Sequence, residues 1–280
     1  MKKLIILCLL LTSSIVVSQK KFEGKATYMS KTTIDMSRFG NMSEQQKKQW
    51  MERAKSFLEK TYTLNFNQKE SAWKENVKLD SPGSRGGMRW GMSNGQGSLY
   101  KNFDEGQMIE DIEQFSKRFL IMEKMDQPKW QMSAETKKIG NYTCYKATLV
   151  KVDNSVDFGS IFRRRGRRGG DEKKDSTQVK KEDDIRTLAV TAWFTPEIPV
   201  KTGPADYYGL PGLILELNAG RTTMLCTEIA INPEESVSIA VPSKGKKVSR
   251  DEYNKIIKQK SEELRERFRN MRRGGGGRRF

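Results

Sequence analysis

The chain has 280 residues, with 52 Lys and Arg against 35 Asp and Glu, no histidine, and a formal net charge of +17. This length fits one large domain or two small ones, and 35% hydrophobic residues are enough to bury a sizeable core. Without histidine the chain cannot build a Ser-His-Asp or Cys-His catalytic site or an imidazole-bound zinc site, and we expect no cofactor and no metal.

The N-terminus has the pattern of a secretory signal peptide. Lys2 and Lys3 precede an apolar run over residues 4–11, and the sequence turns polar after Ser18. The apolar run is too short to span a bilayer, and a charged start followed by a short apolar run is typical of a cleaved leader. We therefore expect an exported protein, periplasmic or associated with the outer membrane, with cleavage near Ser18.

Alternating apolar and polar residues predict strands along most of the chain. The first covers 21–34, and Ser43 with Gln46 forms a capping box that predicts a helix over 44–60. The later predicted strands cover 61–77, 99–103, 107–112, 117–123, 129–132, 142–150, 185–195, 213–217, 221–231 and 236–241. Ser249 with Glu252 is a second capping box. It begins a C-terminal amphipathic helix over 249–271.

These elements predict a mainly β (α+β) fold, with a curved antiparallel sheet in the form of a half-barrel or bowl. One helix falls in the N-terminal half and one at the C-terminus. Because strands do not alternate with helices, the pattern does not favour a parallel sheet. The predicted organisation is a signal peptide over 1–18, a β-rich domain over 19–248 with a disordered basic insertion at 163–185, the helix over 249–271, and a flexible Arg/Gly tail over 272–280.

Two basic segments carry most of the excess charge. Residues 163–181 hold nine Lys and Arg against three acids, and residues 250–280 hold eleven against five. Arginine binds phosphate and carboxylate groups bidentately, so an exported chain would use these segments on anionic lipid or lipopolysaccharide rather than on nucleic acid. A solvated segment that aids solubility is the alternative. The candidate contact residues are Arg163, Arg164, Arg165, Arg167, Arg168, Arg272, Arg273, Arg278 and Arg279.

Two cysteines remain once the leader is removed. Cys144 and Cys226 both fall in predicted strands that could be neighbours in a sheet. In an oxidising compartment such a pair is a candidate disulfide. Two unpaired buried thiols are the alternative.

Residues 206–217 contain a turn followed by a strand. Pro211 suits position i+1 of a type II turn, and Gly212 suits the positive φ required at position i+2. The following strand would return through a loop over 218–220. Trp193, Tyr207 and Tyr208 nearby could form a platform for a sugar or peptide, but this stretch reads more simply as a folding signature.

This stretch resembles a known family. Gly209, Leu210, Pro211, Gly212, Leu213 and Ile214 spell the signature of the GLPGLI family of exported bacterial proteins. Two earlier segments also resemble the family: Tyr142 to Ala147 as its Tyr-x-Cys-x-Lys-Ala element, and an upstream segment with Trp193, Pro196, Pro199, Gly203 and Pro204. The resemblance implies export and a family often encoded near TonB-dependent outer-membrane receptors. It also implies a fold similar to the bowl-like, non-catalytic N-terminal domain of a secreted N-glycanase. It implies no reaction and no catalytic residue.

Two hypotheses follow. The first is an exported, non-enzymatic accessory or binding protein of the periplasm and outer membrane, whose partner is an outer-membrane receptor or another envelope protein. The second is a secreted carboxylate-dependent hydrolase or glycan-processing module, for which Glu197, Asp206 and Glu216 are the nearest acids to the signature. The lack of histidine and of any nucleophile motif favours the first.

Overall fold

The computed structural model describes residues 22–34, 42–77, 97–152 and 187–274. Within these ranges the chain forms one sheet and two helices. The strands are β1 (Glu23–Thr32), β2 (Glu59–Asn67), β3 (Glu70–Glu75), β4 (Leu99–Asn102), β5 (Gln107–Gln114), β6 (Lys117–Lys124), β7 (Gln131–Ile139), β8 (Tyr142–Val152), β9 (Thr187–Thr195), β10 (Leu213–Ala219), β11 (Thr222–Ile231) and β12 (Lys246–Val248). The helices are α1 (Glu44–Leu58) and α2 (Arg250–Gly274).

The strands form a single open sheet in the order β12-β6-β5-β4-β3-β2-β1-β11-β10-β9-β8-β7. All neighbours are antiparallel except β12, which runs parallel to β6. This confirms the predicted mainly β fold with an antiparallel sheet. The edges are β7 and β12, and the central strand β1 joins the N-terminal strands to β7–β11.

The sheet curls around its main core. Leu64 and Trp73 belong to the same core cluster as Val190 and Phe194. The hydroxyls of Ser71 on β3 and Thr202 after β9 lie 2.9 Å apart, although β3 and β9 are five places apart in the strand order. The long connection between β9 and β10 fills part of the concave side, with Leu210 in the same cluster.

Helix α2 covers a smaller core at the other end of the sheet. Tyr253 and Ile257 pack with Ile112, Phe119 and Ile121 of β5 and β6. Both predicted capping boxes are confirmed, at Ser43 and at Ser249. Helix α2 continues through Gly274, so residues 272–274, expected in the tail, extend the helix instead. Within the described ranges, neither helix combines the length and apolar character needed to cross a membrane.

Three predicted elements are wrong in detail. Residues 61–77 form a hairpin, β2–β3, because the Asn67 side chain accepts hydrogen bonds from the backbone of Lys69 and Glu70, both at 2.8 Å, and turns the chain. Residues 236–241 form no strand. They cross over the sheet, where the Ser238 carbonyl accepts a hydrogen bond from Asn65 at 2.9 Å.

The third error is the length of the β10–β11 turn, which is one residue shorter than expected. Ala219 pairs with Thr222, so the hairpin loop consists of Gly220 and Arg221 alone. Gly220 has a φ of +59°, which glycine adopts at little cost. Strand β7 is longer than the predicted strand over 129–132, and β12 was not predicted, because polar residues hide the alternation in both.

Candidate functional site: the loop between β9 and β10

The signature loop, residues 196–212, connects two strands that are already paired. Thr195 and Leu213 are partners in the β9–β10 ladder, so the loop leaves and re-enters the sheet at one point. Inside it, Gly209 N–H donates to the Lys201 carbonyl at 2.9 Å, and Leu213 N–H donates to the Ile198 carbonyl at 3.0 Å. The loop therefore folds on itself as a compact unit.

The family residues occupy different environments in this loop. Gly203, Pro204, Leu210, Gly212, Leu213 and Ile214 are buried, Trp193 and Gly209 are half-buried, and Pro196, Pro199 and Pro211 are exposed. The predicted core strand after the motif is confirmed, with Leu213 and Ile214 fully buried. Most of the signature thus serves packing.

Gly212 is required for a different reason from the one predicted. Its φ is not in the left-handed region; instead, a Cβ at this position would lie 2.1 Å from the carbonyl oxygen of Thr195. The positive φ belongs to Gly209, at +90°. Gly203 is also needed for close approach, since a Cβ there would lie 2.5 Å from Cδ1 of Ile214. The backbone of Thr195 therefore excludes a side chain at position 212, and the side chain of Ile214 excludes one at position 203.

A buried lysine holds the loop from the opposite side of the bowl. Lys101 of β4 is fully buried, and its Nζ donates to the carbonyls of Gly203 at 3.0 Å and Tyr207 at 3.1 Å. Burial lowers the pKa of this ammonium to about 7, with Asp206 opposing that shift and Lys151 adding to it. The sequence offered only a weak signal for this role: a lysine at an inward position of a short strand.

Other side chains bind further carbonyls of the same region. The Tyr28 hydroxyl donates to the Ile214 carbonyl at 2.7 Å, and Trp130 Nε1 donates to the Tyr208 carbonyl at 2.8 Å. The hydroxyls of Ser71 and Thr202 are 2.9 Å apart, both in buried residues. Strands β3 and β4 and the β6–β7 connection therefore contribute side chains that hold the signature loop, and β1 binds the strand that follows it.

The candidate carboxylates are each engaged by a different element. Glu197 accepts the backbone N–H of Thr143 at 2.9 Å. Asp206 pairs with Lys151 of β8. Glu216, which alternation would point to solvent, lies mostly buried against Lys137, with Oε2 and Nζ 2.7 Å apart. The geometry gives each acid a structural partner rather than a common reaction centre.

The three candidate platform aromatics are also engaged separately. The Trp193 ring lies under Lys137 Nζ, 4.3 Å from the centroid, and the buried Tyr207 ring faces Lys151 at 5.0 Å. The Tyr208 hydroxyl donates to the Asp126 carbonyl at 2.7 Å. Each ring packs against the protein's own groups.

A second polar cluster lies between the sheet and α2, and sequence reasoning missed it. Arg250 binds Glu110 and Glu123, with contacts of 2.6 Å to each. Burial raises the pKa of the Glu110 carboxyl despite the opposing effect of Arg250. These carboxylates lie on neighbouring strands and converge on one guanidinium, so the cluster fastens α2 to β5 and β6. Within the described ranges no group of three or more Cys, Asp or Glu is placed to hold a metal ion.

The candidate disulfide is absent. Both thiols are free and buried, and β8 and β11, which carry Cys144 and Cys226, are separated by β9 and β10. The prediction that these two strands could be neighbours in the sheet is therefore wrong. Burial raises the pKa of Cys144 to about 11 and that of Cys226 to about 12, so both are unreactive thiols.

The candidate anionic-surface residues fall mostly outside the described residues. Those of the insertion, Arg163 to Arg168, and those at the end of the tail, Arg278 and Arg279, are not among them, nor is the predicted leader over 1–18. The backbone of Arg272 and Arg273 forms part of the last turn of α2.

Comparisons with known proteins match one region of the chain to a family model but indicate no activity. Residues 130–216, which begin directly before β7, end in β10 and include the signature loop, match the model of a family described as "Protein of unknown function (Porph_ging)". No curated protein matches the chain. Two solved structures are similar, titled "Structure of PNGF-II in C2 space group" and "Structure of PNGF-II in P21 space group".

The first has a TM-score of 0.47 at 13% identity, with 86% of this chain and 33% of that chain covered. The second has a TM-score of 0.46 at 14% identity, with 85% and 33% covered. The chain thus spans about a third of the length of these structures.

Proposed function

We propose that the chain is a member of the GLPGLI family that is exported to the cell envelope. There it acts as a non-enzymatic accessory or binding protein. The observation that supports a binding role over catalysis is the way in which the signature loop is held by hydrogen bonds from other elements. Its carbonyls are bound by Lys101 and Trp130, and Tyr28 binds the carbonyl of Ile214 in the adjoining strand, so the most distinctive part of the sequence maintains the bowl. Binding is then a property of the surfaces that the bowl presents.

The surface best suited to a partner is the β7–β8 edge. Among the described residues, four exposed large apolar side chains lie on these two strands: Met132, Tyr145, Val150 and Val152, with exposed fractions of 56%, 40%, 71% and 48%. In the part of the chain that the structure describes, strand β7 is also an edge strand, paired on one side only. Exposed apolar side chains along a free strand edge are typical of a protein-binding surface. We assign this edge to the envelope partner, an outer-membrane receptor.

Site-specific photo-crosslinking in the native envelope tests this assignment. A photoreactive residue at position 132 or 145 should capture one and the same envelope protein. The control position is Val241, an apolar residue of 52% exposure outside these strands, which should capture none. Identical capture from all three positions, or none from 132 and 145, would count against the proposal. N-terminal sequencing of the recovered protein tests cleavage after Ser18.

A carboxylate-dependent hydrolase remains the alternative, and one observation favours it. Glu110 and Glu123 converge as a pair of half-buried carboxyls, the residue types that a glycosidase uses. In this alternative the wild-type protein would hydrolyse envelope glycan, and Glu110→Gln would abolish the activity while leaving the fold intact. A protein that binds its partner but leaves the glycan unchanged supports the accessory role.

A further inference from the structure

Strand β8 continues past the end of its neighbour β7. The last pair of the β7–β8 ladder is Gln131 with Thr148, whereas the β8–β9 ladder runs on to Val152. Residues 149–152 therefore pair with β9 on one side, and within the described ranges no strand pairs with them on the other. These four residues, the open end of β8, form a strand segment about 13 Å long.

The backbone groups of Val150 and Val152 point to the unpaired side of the open end. Because the 140–141 turn is a two-residue hairpin loop, its flanking residues form a hydrogen-bonded pair, and the N–H and C=O of Tyr142 face β7. The register of β8 with β9 is unbroken, so alternation gives the later even-numbered residues the same direction. The N–H of Thr143, one residue on, points the other way and donates to a carboxylate of the signature loop at 2.9 Å.

The side chains of the open end alternate between solvent and core. Val150 and Val152 are 71% and 48% exposed. On the other face, Leu149 packs against the main core and Lys151 pairs with Asp206 of the signature loop. The open end thus presents unpaired main-chain donors and acceptors together with alternate exposed valines. Main-chain hydrogen bonds give an added strand its affinity, and alternate side chains give it selectivity.

Strand β7 is a poorer acceptor for an added strand. Three residues separate Met132 from Thr136 on β7, whereas one residue separates their partners on β8, so β7 is bulged. Its second half also carries the exposed Lys138. Bulges and lysines are the features that protect a sheet edge from further pairing. The open end of β8 has an unbroken register and exposes valines instead.

We propose that an extended segment of a partner protein pairs with the open end of β8 as an added strand. This inference rests on the proposed function, because it specifies how the partner of the β7–β8 edge is bound. The exposed Lys129 and Lys138 form no ion pair with any described residue. Charge complementarity therefore favours a segment whose apolar residues are flanked by acids.

A second copy of the chain fits the open end less well. A stable dimer buries roughly 800 Å² on each partner, and a strip of four residues, one strand wide, supplies far less. Two copies would also bring lysine-rich edges together, since β7 holds two lysines and one glutamate and β8 holds two lysines and no acid. An extended segment needs only the strip itself.

Fluorescence anisotropy with a labelled strand peptide tests the proposal on the full chain. The probe is Glu-Val-Thr-Val-Thr-Val-Thr-Glu with both termini blocked. We expect it to bind, and we expect the same peptide with its central N–H groups methylated not to bind, because methylation removes the main-chain donors. Replacing both glutamates of the peptide by lysine should weaken binding about tenfold at low salt.

Two substitutions at one position separate strand addition from simple apolar contact. Val150→Pro removes an N–H that faces the unpaired side and should weaken binding at least about tenfold, while the β9 ladder and the unfolding temperature are kept. Val150→Thr keeps the backbone and the β-branched shape, so binding should change less than about threefold. The methylated peptide makes the same test on the unaltered protein, so the answer does not depend on how the proline variant folds.

The outcomes distinguish this inference from the receptor assignment. No binding of the peptide, equal binding of its methylated form, or equal effects of the two substitutions would overturn strand addition. Peptide binding without capture of an envelope protein from positions 132 and 145 would support strand addition and remove the receptor assignment. Capture that Val150→Pro leaves unchanged would support the receptor and contradict strand addition.

Discussion

Lys101 is the residue on which the signature loop depends most directly. A buried ammonium is costly, and here two backbone carbonyls and the nearby Asp206 carboxylate offset part of that cost. Methionine or leucine would fill the space without that penalty but would leave both carbonyls unpaired. The lysine therefore joins β4 to the loop through two hydrogen bonds. Its role follows from the loop's own carbonyls, which sequence patterns do not reveal.

The lowered pKa of Lys101 makes stability depend on pH. Its pKa is about 7 when folded and 10.5 in the unfolded chain, so between these values the unfolded state holds the extra proton. The penalty is complete below pH 7 and fades as the pH rises. Relative to Lys101→Met, the free energy of unfolding should rise by about 1 kcal/mol per pH unit from pH 7.5 to 9. Urea denaturation of both proteins measures this, and parallel pH profiles would contradict it.

Gly212 should tolerate no side chain. Because a Cβ there would lie 2.1 Å from a strand carbonyl, we expect Gly212→Ala to lower the free energy of unfolding by about 3 kcal/mol or more. Gly140→Asn is the matched control. That glycine has a φ of +59° and nothing within 4 Å of an added Cβ, so asparagine should be nearly neutral. Chemical denaturation that ranks the two variants the other way round would refute the steric explanation.

At the scale of elements, sequence patterns predicted what local chemistry determines. Both capping boxes, the 140–141 turn and most strands of the sheet follow from residues close in sequence. The hairpin at 67–70 was missed because one asparagine side chain turns the chain without glycine or proline. The run at 236–241 alternates like a strand but pairs with none of the described strands and packs across the sheet through Ser238 and Ile239. Tertiary position, not local pattern, decides such cases.

The attachment of α2 should depend on Arg250. Arg250→Met leaves Glu110 and Glu123, which are only 17% and 27% exposed, without their shared cation. We expect a loss of about 3 kcal/mol and faster hydrogen exchange in residues 250–263, while the signature loop stays protected. Lys260→Met, which removes an exposed pair with Glu263, should cost less than about 0.5 kcal/mol. Uniformly faster hydrogen exchange across the sheet would contradict the view that Arg250 stabilises only the attachment of α2.

At the scale of the whole molecule, two of the several long connections between paired strands bear on the role of the signature loop. Thr195 pairs with Leu213 at the ends of the signature loop, and Val152 pairs with Thr187 at the ends of residues 153–186. The first connection returns to the concave side and is bound there by distant strands. That arrangement could not be read from the sequence, because its contacts join Lys101 to Gly203 and Ser71 to Thr202. Such pairs are far apart in the chain and leave no periodic trace.

These two connections should respond oppositely to deletion. Replacing residues 153–186 by Asn-Gly joins Val152 to Thr187 through a two-residue turn, and the unfolding temperature should change by no more than about 3 °C. The same replacement of residues 196–212 joins strands of similar geometry but removes part of the core, and it should abolish folding. Thermal denaturation by circular dichroism distinguishes them. Similar behaviour of both deletions would contradict a structural role for the signature loop.

The position of β1 in the middle of the sheet has a kinetic consequence. Its partner on one side, β11, contributes pairs such as Gly24 with Ile231, so about three quarters of the chain separates the two. While the polypeptide is being made, β1–β6 can assemble early, but one edge of β1 stays open until residues 222–231 arrive. Contacts of such long range slow folding, and an open central edge is where two nascent chains would join. Aggregation during synthesis should therefore begin at β1 rather than at either edge of the finished sheet.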